Sequence, residues 1–89
     1  MRPYTDHAAD QLAERYGFVA TEDEWQRAVL DIIDVVGGLG ARALLLRRQG
    51  NGRELWLARL AGRPMRLVYQ PALAMFITVL PENDCWPRS

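Results

Sequence analysis

The sequence predicts an α+β fold in which two N-terminal helices pack on a four-stranded antiparallel β-meander. Apolar residues recur at helical spacing up to residue 36, and the pattern changes to short strand-like runs from residue 41 onward. The links between these runs are too short for parallel neighbours, so the strands are expected to be antiparallel. We expect one domain over residues 1–89, with an ordered core at about 4–81 and a loose tail at 82–89.

The first helix is expected to begin at Thr5 or Asp6, because either side chain can cap a helix, and to end at Gly17. Helical spacing of 100° per residue places one apolar stripe toward the core, formed by Ala8, Leu12 and Tyr16. Three polar residues run along the margin of that stripe: His7, Gln11 and Arg15. A margin position suits a side chain at the rim of a cleft, and also a long polar side chain that only reaches solvent.

The second helix begins with a capping box, in which Thr21 caps the helix and Glu24 reaches back to it. Its buried stripe is predicted to contain Trp25, Val29, Ile32 and Val36, with Ala28 and Ile33 beside it. Asp31 and Asp34 share a helix face and are expected to be solvated. Gly37 and Gly38 are expected to end the helix.

Four strands follow, at 42–48, 54–60, 65–69 and 75–80, and the helices should cover one face of their sheet. Gly50-Asn51-Gly52 predicts a hairpin turn, and tight turns are expected around Gly62-Arg63-Pro64 and Gln70-Pro71-Ala72. Trp56 alternates with leucines, so its exposure beside arginines would favour a binding surface.

Composition excludes several classes of protein. The 49% hydrophobic and 25% charged content is typical of a globular domain. A single cysteine, Cys85, excludes an internal disulfide, and with a single histidine no metal site or other cofactor is expected. No apolar run is long enough to span a bilayer and no signal peptide is visible, so a cytoplasmic protein without a membrane partner is predicted.

Charge is divided along the chain although the formal net charge is zero. Residues 1–36 carry a net charge of −5 and residues 37–89 a net charge of +5. All eleven basic residues are arginines, whose planar guanidinium groups suit phosphate or carboxylate. A dipolar molecule of this kind can present a basic face to phosphate.

The first helix runs from His7-Ala8 to Arg15-Tyr16-Gly17 and is followed by a second helix and a four-strand meander. This arrangement resembles the RelE/barnase-type ribonuclease toxins of bacteria and phages. The last strand, Phe76-Ile77-Thr78-Val79, and the Val68-Tyr69 end of the third strand are also similar to that superfamily. The helix motif of the family reads His-Ala-x-x-Arg-x-x-x-Arg. Gln11 stands in place of its first arginine, and glutamine can hydrogen-bond a phosphate but cannot neutralise it.

The resemblance implies metal-independent cleavage of RNA by attack of its 2′-hydroxyl group. His7 would then move a proton, Arg15 would hold the scissile phosphate, and Thr78 or Tyr69 would supply a hydroxyl donor. Gln11 and three arginines of the sheet would bind flanking phosphates, and these are Arg48, Arg59 and Arg66. Such a toxin would have RNA and an acidic antitoxin as partners.

Two alternatives remain open. A non-catalytic binding module on the same fold, such as a phage-type inhibitor or adaptor of a host protein, is favoured by Gln11 and by the zero net charge, because RNA binding depends strongly on phosphate contacts. An oligomer built through open sheet edges is the other alternative, although Arg42 and Arg48 are typical of edge protection.

Overall fold

The computed structural model describes residues 2–81, and the expected tail at 82–89 lies outside them. Its elements are α1 (Asp6–Tyr16), α2 (Glu22–Val36), β1 (Ala43–Arg48), β2 (Glu54–Leu60), β3 (Arg63–Gln70) and β4 (Met75–Val79). The strands form one antiparallel sheet in the order β1-β2-β3-β4. The α+β class and the meander predicted from the sequence are confirmed.

Both helices begin where their capping residues predict. The Thr5 hydroxyl oxygen accepts a 3.0 Å hydrogen bond from the amide of Ala8, and Gly17 ends α1 in the left-handed conformation at φ 74°. In α2 both hydrogen bonds of the capping box between Thr21 and Glu24 are formed. These caps satisfy amide groups that a helix N-terminus otherwise leaves without a partner.

The predicted buried stripe of α2 is partly wrong. Ile33 is 50% exposed and Val36 is 73% exposed, whereas Asp31, expected to be solvated, is only 7% exposed. The buried face is rotated toward Ala28 and Asp31, which places Ile33 beyond its margin. Val36 lies in the last turn, beside the exposed Gly37, and the part of the chain that the structure describes leaves it largely uncovered.

The helices share one hydrophobic core, with α1 against β4 and α2 against β1 and β2. Trp25 lies in this core, with its ring stacked on Tyr4 at 4.9 Å and tilted against Phe76 at 5.8 Å between centroids. Trp56 is also buried, and its indole nitrogen donates a 2.9 Å hydrogen bond to Glu54. The exposed Trp56 that would have favoured a binding surface is therefore not observed.

Strand β3 begins at Arg63, two residues earlier than predicted, because the preceding turn contains only two residues. Ala61 and Gly62 have φ values of 53° and 80°, and Leu60 pairs with Arg63 across the turn. Two successive residues with positive φ are typical of the type I′ hairpin turn, which matches the twist of the strands that it joins. Ala61 adopts a conformation that disfavours side chains with a Cβ atom.

The two outer edges of the sheet differ. On β4, the Phe76 amide donates to the Pro3 carbonyl at 2.9 Å, and the Phe76 carbonyl accepts from the Thr5 amide at 3.0 Å. The Thr5 hydroxyl donates to the Ile77 carbonyl at 2.9 Å. The outer side of β1, by contrast, pairs with no strand within residues 2–81. One edge is therefore closed by the chain's own N-terminal segment.

Candidate functional site

A bulge near the end of β4 turns its backbone toward α1. Tyr69 pairs with Phe76, but the preceding residue of β3, Val68, pairs with Thr78, so Ile77 is an extra residue on β4. A bulge of this kind locally interrupts pairing and re-aims the backbone of the strand. The backbone groups of Val79 are then available to the side chains of α1.

Gln11 lies at the centre of this contact between α1 and β4. Its side-chain carbonyl oxygen accepts a hydrogen bond from the Thr78 hydroxyl and a second one, of 3.1 Å, from the Val79 amide. The structure therefore brings two of the predicted site residues, Gln11 and Thr78, into direct contact. It also gives the Gln11 acceptor a partner in the protein itself.

Arg15, one turn further along α1, continues the same contact. Its Nη1 group donates a 2.9 Å hydrogen bond to the Val79 carbonyl oxygen, and the Tyr16 hydroxyl donates to the Leu80 carbonyl, also at 2.9 Å. Arg15 otherwise remains exposed. Gln11, Arg15 and Tyr16 thus replace a fifth strand at the end of β4, since they supply the hydrogen bonds that a neighbouring strand would make.

His7 lies outside this cluster. It is exposed in the first turn of α1 and makes no hydrogen bond within the part of the chain that the structure describes. His7 and Arg15 are eight positions apart, which is about 12 Å along the helix axis. Gln11 occupies the helix position midway between them.

Tyr69 is separated from Thr78 by the sheet itself. Tyr69 pairs with Phe76 on the core face, where the centroids of the two rings lie 5.2 Å apart. Thr78 pairs instead with Val68, the neighbour of Tyr69 in β3, and neighbouring strand residues point to opposite faces of the sheet. Burial, and secondarily the negative charge of Glu54, raises the pKa of Tyr69. The two predicted hydroxyl donors therefore do not face the same site.

The three sheet arginines do not form one patch. Arg59 and Arg66 lie on the face of the sheet away from the helices, whereas the pairing of Arg48 with Glu54 places Arg48 on the helix side. Arg66 is buried and donates a 3.0 Å hydrogen bond to the Pro81 carbonyl, while Arg48 lies 3.6 Å from a carboxylate oxygen of Glu54. Of these three arginines, Arg59 alone is exposed and makes no bond to another residue in the range 2–81.

Comparison of the chain with family profiles, curated proteins and solved structures found no match. Within residues 2–81, no group of three or more His, Cys, Asp or Glu residues is placed to hold a metal ion. No helix in the same range has the length and apolar character needed to cross a membrane.

Sequence reasoning missed a second group of charged residues, at a groove of about 1140 Å³ between the first half of α2 and the paired strands β1 and β2. The lining of this groove also includes residues from the sheet face away from the helices, Arg59 among them. Three acids and three arginines line it, and these are Asp23, Glu24, Asp31, Arg27, Arg42 and Arg59. The sequence did contain a signal that Asp31 lies near the core. Asp31 follows the buried Ala28 by three residues, and this spacing places it next to the apolar stripe of the helix. How the helix is rotated on the sheet decides whether such a position is buried.

Proposed function

We propose that this chain is a non-catalytic module that binds a partner protein. The observation that carries the proposal is the bonding of Gln11 and Arg15 to the backbone at Val79. Side chains that the ribonuclease hypothesis needs for phosphate serve here to close the edge of β4. Their residue types and spacing are thus accounted for by the fold.

The position of His7 supports the same conclusion. General acid–base catalysis requires the histidine within hydrogen-bond reach of the reacting oxygen, and the arginine that stabilises the phosphate must contact the same group. His7 and Arg15 lie about 12 Å apart along α1, with Gln11 and its bonded partner Thr78 between them. One phosphate group is too small to meet both side chains without rearrangement of that contact.

The charge distribution also favours a protein partner. The net charge is zero, most of the acids of the first 36 residues are exposed, and the sheet arginines are divided between two faces. Nucleic acid is a uniform polyanion and is bound best by a continuous basic surface. Surfaces of mixed charge instead suit a protein with a complementary arrangement of charges.

A photo-cross-linking experiment tests the proposal directly. A photoreactive amino acid is introduced into the protein in its native host cell. It replaces, one at a time, three exposed residues on different parts of the surface: Glu14 on α1, Leu44 on β1 and Leu73 in the turn before β4. We expect a discrete adduct of defined mass from one of these positions only. Adducts with many proteins from all three positions, or none from any, would contradict a specific protein partner.

A metal-free ribonuclease of the toxin type is the second candidate function. One observation favours it, namely that Gln11, Arg15 and Thr78 meet at the end of β4, where Arg15 is exposed and uses one of its five donors. The test is incubation of the purified protein with a mixed RNA pool in EDTA, beside its His7→Ala variant. Cleavage by the wild type that the variant lacks would establish this function, and absence of cleavage is the result that a binding module predicts.

A further inference from the structure

The groove between α2 and strands β1 and β2 contains a carboxylate without a partner. Asp31 is 7% exposed, so more than nine-tenths of the residue is buried. It makes no hydrogen bond and no ion pair with any residue in the range 2–81. A buried charge that lacks partners is costly, and proteins rarely keep one without a counterpart.

The Asp31 oxygens nevertheless reach solvent through the groove. Among the described residues, every side-chain nitrogen or oxygen atom that is fully buried has a hydrogen-bond partner. Since Asp31 has no such partner, its carboxylate oxygens must be accessible, and the groove is the open space that this residue lines. Asp31 therefore forms part of the floor of the groove.

The groove has an arginine rim that leaves Asp31 unpaired. Arg27, Arg42 and Arg59 are all exposed, and none lies within ion-pair distance of Asp31. Arg27 precedes Asp31 by one helical turn, a spacing at which opposite charges commonly pair. The floor of the groove is thus acidic at Asp31, and its exposed lining contains the three arginines together with Asp23.

We propose that this groove receives an arginine or lysine side chain of a partner protein, whose cationic group binds the Asp31 carboxylate. Carboxylates next to that residue in the partner would meet the arginine rim. This inference rests on the proposed function and names the chemistry of the partner. Within residues 2–81 no group of three or more potential metal ligands is placed to hold a metal ion, so the Asp31 carboxylate suits an organic cation better than a divalent metal ion, and its charge repels phosphate.

Strand β1 provides a backbone on which such a partner segment can lie. Ala43 and Leu44 line the groove and belong to β1, whose outer side pairs with no strand in residues 2–81. An extended segment that adds to an open strand places alternate side chains toward the protein. One of these side chains can enter the groove beside β1 and reach Asp31.

A peptide titration followed by the protein's amide NMR spectrum tests the inference. The probe is acetyl-Glu-Arg-Glu-amide, and its counterpart carries citrulline, which keeps the shape of arginine and removes its charge. We expect saturable shifts at residues 23–31 and 41–44 with the arginine peptide. We also expect affinity at least about tenfold weaker for the citrulline peptide, because a charge-assisted hydrogen bond is lost.

Two variants complete the test. Asp31→Asn should weaken binding of the arginine peptide by about tenfold or more, whereas Asp34→Asn, which removes an exposed charge from the same helix, should leave it unchanged. Equal binding of the two peptides, equal binding by Asp31→Asn, or no saturable shift would overturn the inference. A single photo-adduct from Glu14 or Leu73 would keep the proposed function and reject the groove, so the two failures are distinguishable.

Discussion

The guanidinium group of Arg15 and the carbonyl oxygen of Val79 are joined by a 2.9 Å hydrogen bond across 64 positions of sequence. Together with the two hydrogen bonds that Gln11 accepts from Thr78 and Val79, it fixes the last turns of the first helix to the end of the last strand. An arginine that we predicted from the sequence to hold phosphate therefore has a structural task in the folded chain. Its removal is expected to change stability as well as any binding.

Replacement of Gln11 by leucine should lower the free energy of unfolding by about 1–3 kcal/mol. The change keeps the apolar stem but leaves the Val79 amide and the Thr78 hydroxyl without their acceptor in a half-buried place. Urea denaturation measures the effect. Gln26→Leu, at an exposed position of α2, is the matched control and should stay within about 0.5 kcal/mol of the wild type.

Arg15→Met should cost about 1 kcal/mol, less than the change at Gln11, because the arginine is largely exposed and water can replace its bond to Val79. Arg27→Met removes the same charge from an exposed position without a hydrogen bond to a described residue. We expect that variant to be close to neutral. Equal stability of the two variants in urea would show that the Arg15–Val79 bond contributes nothing.

Ala61→Gly should raise the free energy of unfolding by about 1 kcal/mol. The φ value of 53° at Ala61 is unfavourable for a residue with a Cβ atom, and glycine adopts it without that cost. Ala41→Gly, in an exposed loop without positive φ, should instead lower stability because glycine increases the freedom of the unfolded chain. Thermal unfolding measures both changes, and midpoint temperatures that shift in the same direction in the two variants would refute this explanation.

Stability should fall as the pH rises above about 10, in part because of Tyr69. Burial and the charge of Glu54 raise the pKa of Tyr69 above its ordinary value of 10.0 in the folded chain. The unfolded chain then loses this proton at lower pH than the folded chain, so alkaline conditions favour unfolding. Phenolate absorbance of the wild type should include a component that titrates above pH 10 and that Tyr69→Phe lacks, and a titration of the variant unchanged except in amplitude would contradict the assignment.

Asp31→Asn should leave the unfolding free energy unchanged or raise it by up to about 1 kcal/mol. The substitution removes a charge that is nearly buried and has no ion-pair partner within residues 2–81. Denaturation of the isolated variant measures this effect. A clear loss of stability would mean that a neighbouring arginine, such as Arg27, pairs with Asp31 in solution.

Local signals in the sequence predicted local structure correctly. The caps at Thr5 and Thr21 and the left-handed Gly17 depend only on nearby residues, and all three were predicted. The rotation of α2 depends on how the whole helix sits on β1 and β2, and this decided the exposure of Ile33 and the burial of Asp31. Periodicity identifies a buried stripe but does not fix its margins.

The contact between α1 and β4 could not be predicted, for a related reason. The residue types and their spacing were recognised, but their partners depend on the strand register and on the bulge at Ile77, which place Val79 against the helix. Gln11 therefore looked like a weakened phosphate ligand in the sequence. In the folded chain it is the acceptor that the end of β4 requires.

The unequal edges of the sheet also limit how copies of this domain can associate. Residues 3–5 and the side chains of α1 occupy the outer edge of β4, so, in the range 2–81, only β1 offers backbone groups for pairing. Growth of a fibre by strand addition needs two free edges on every subunit. A subunit with one such edge can form a closed pair and then has no further strand to offer, so self-association through the sheet that residues 2–81 form would end at two copies.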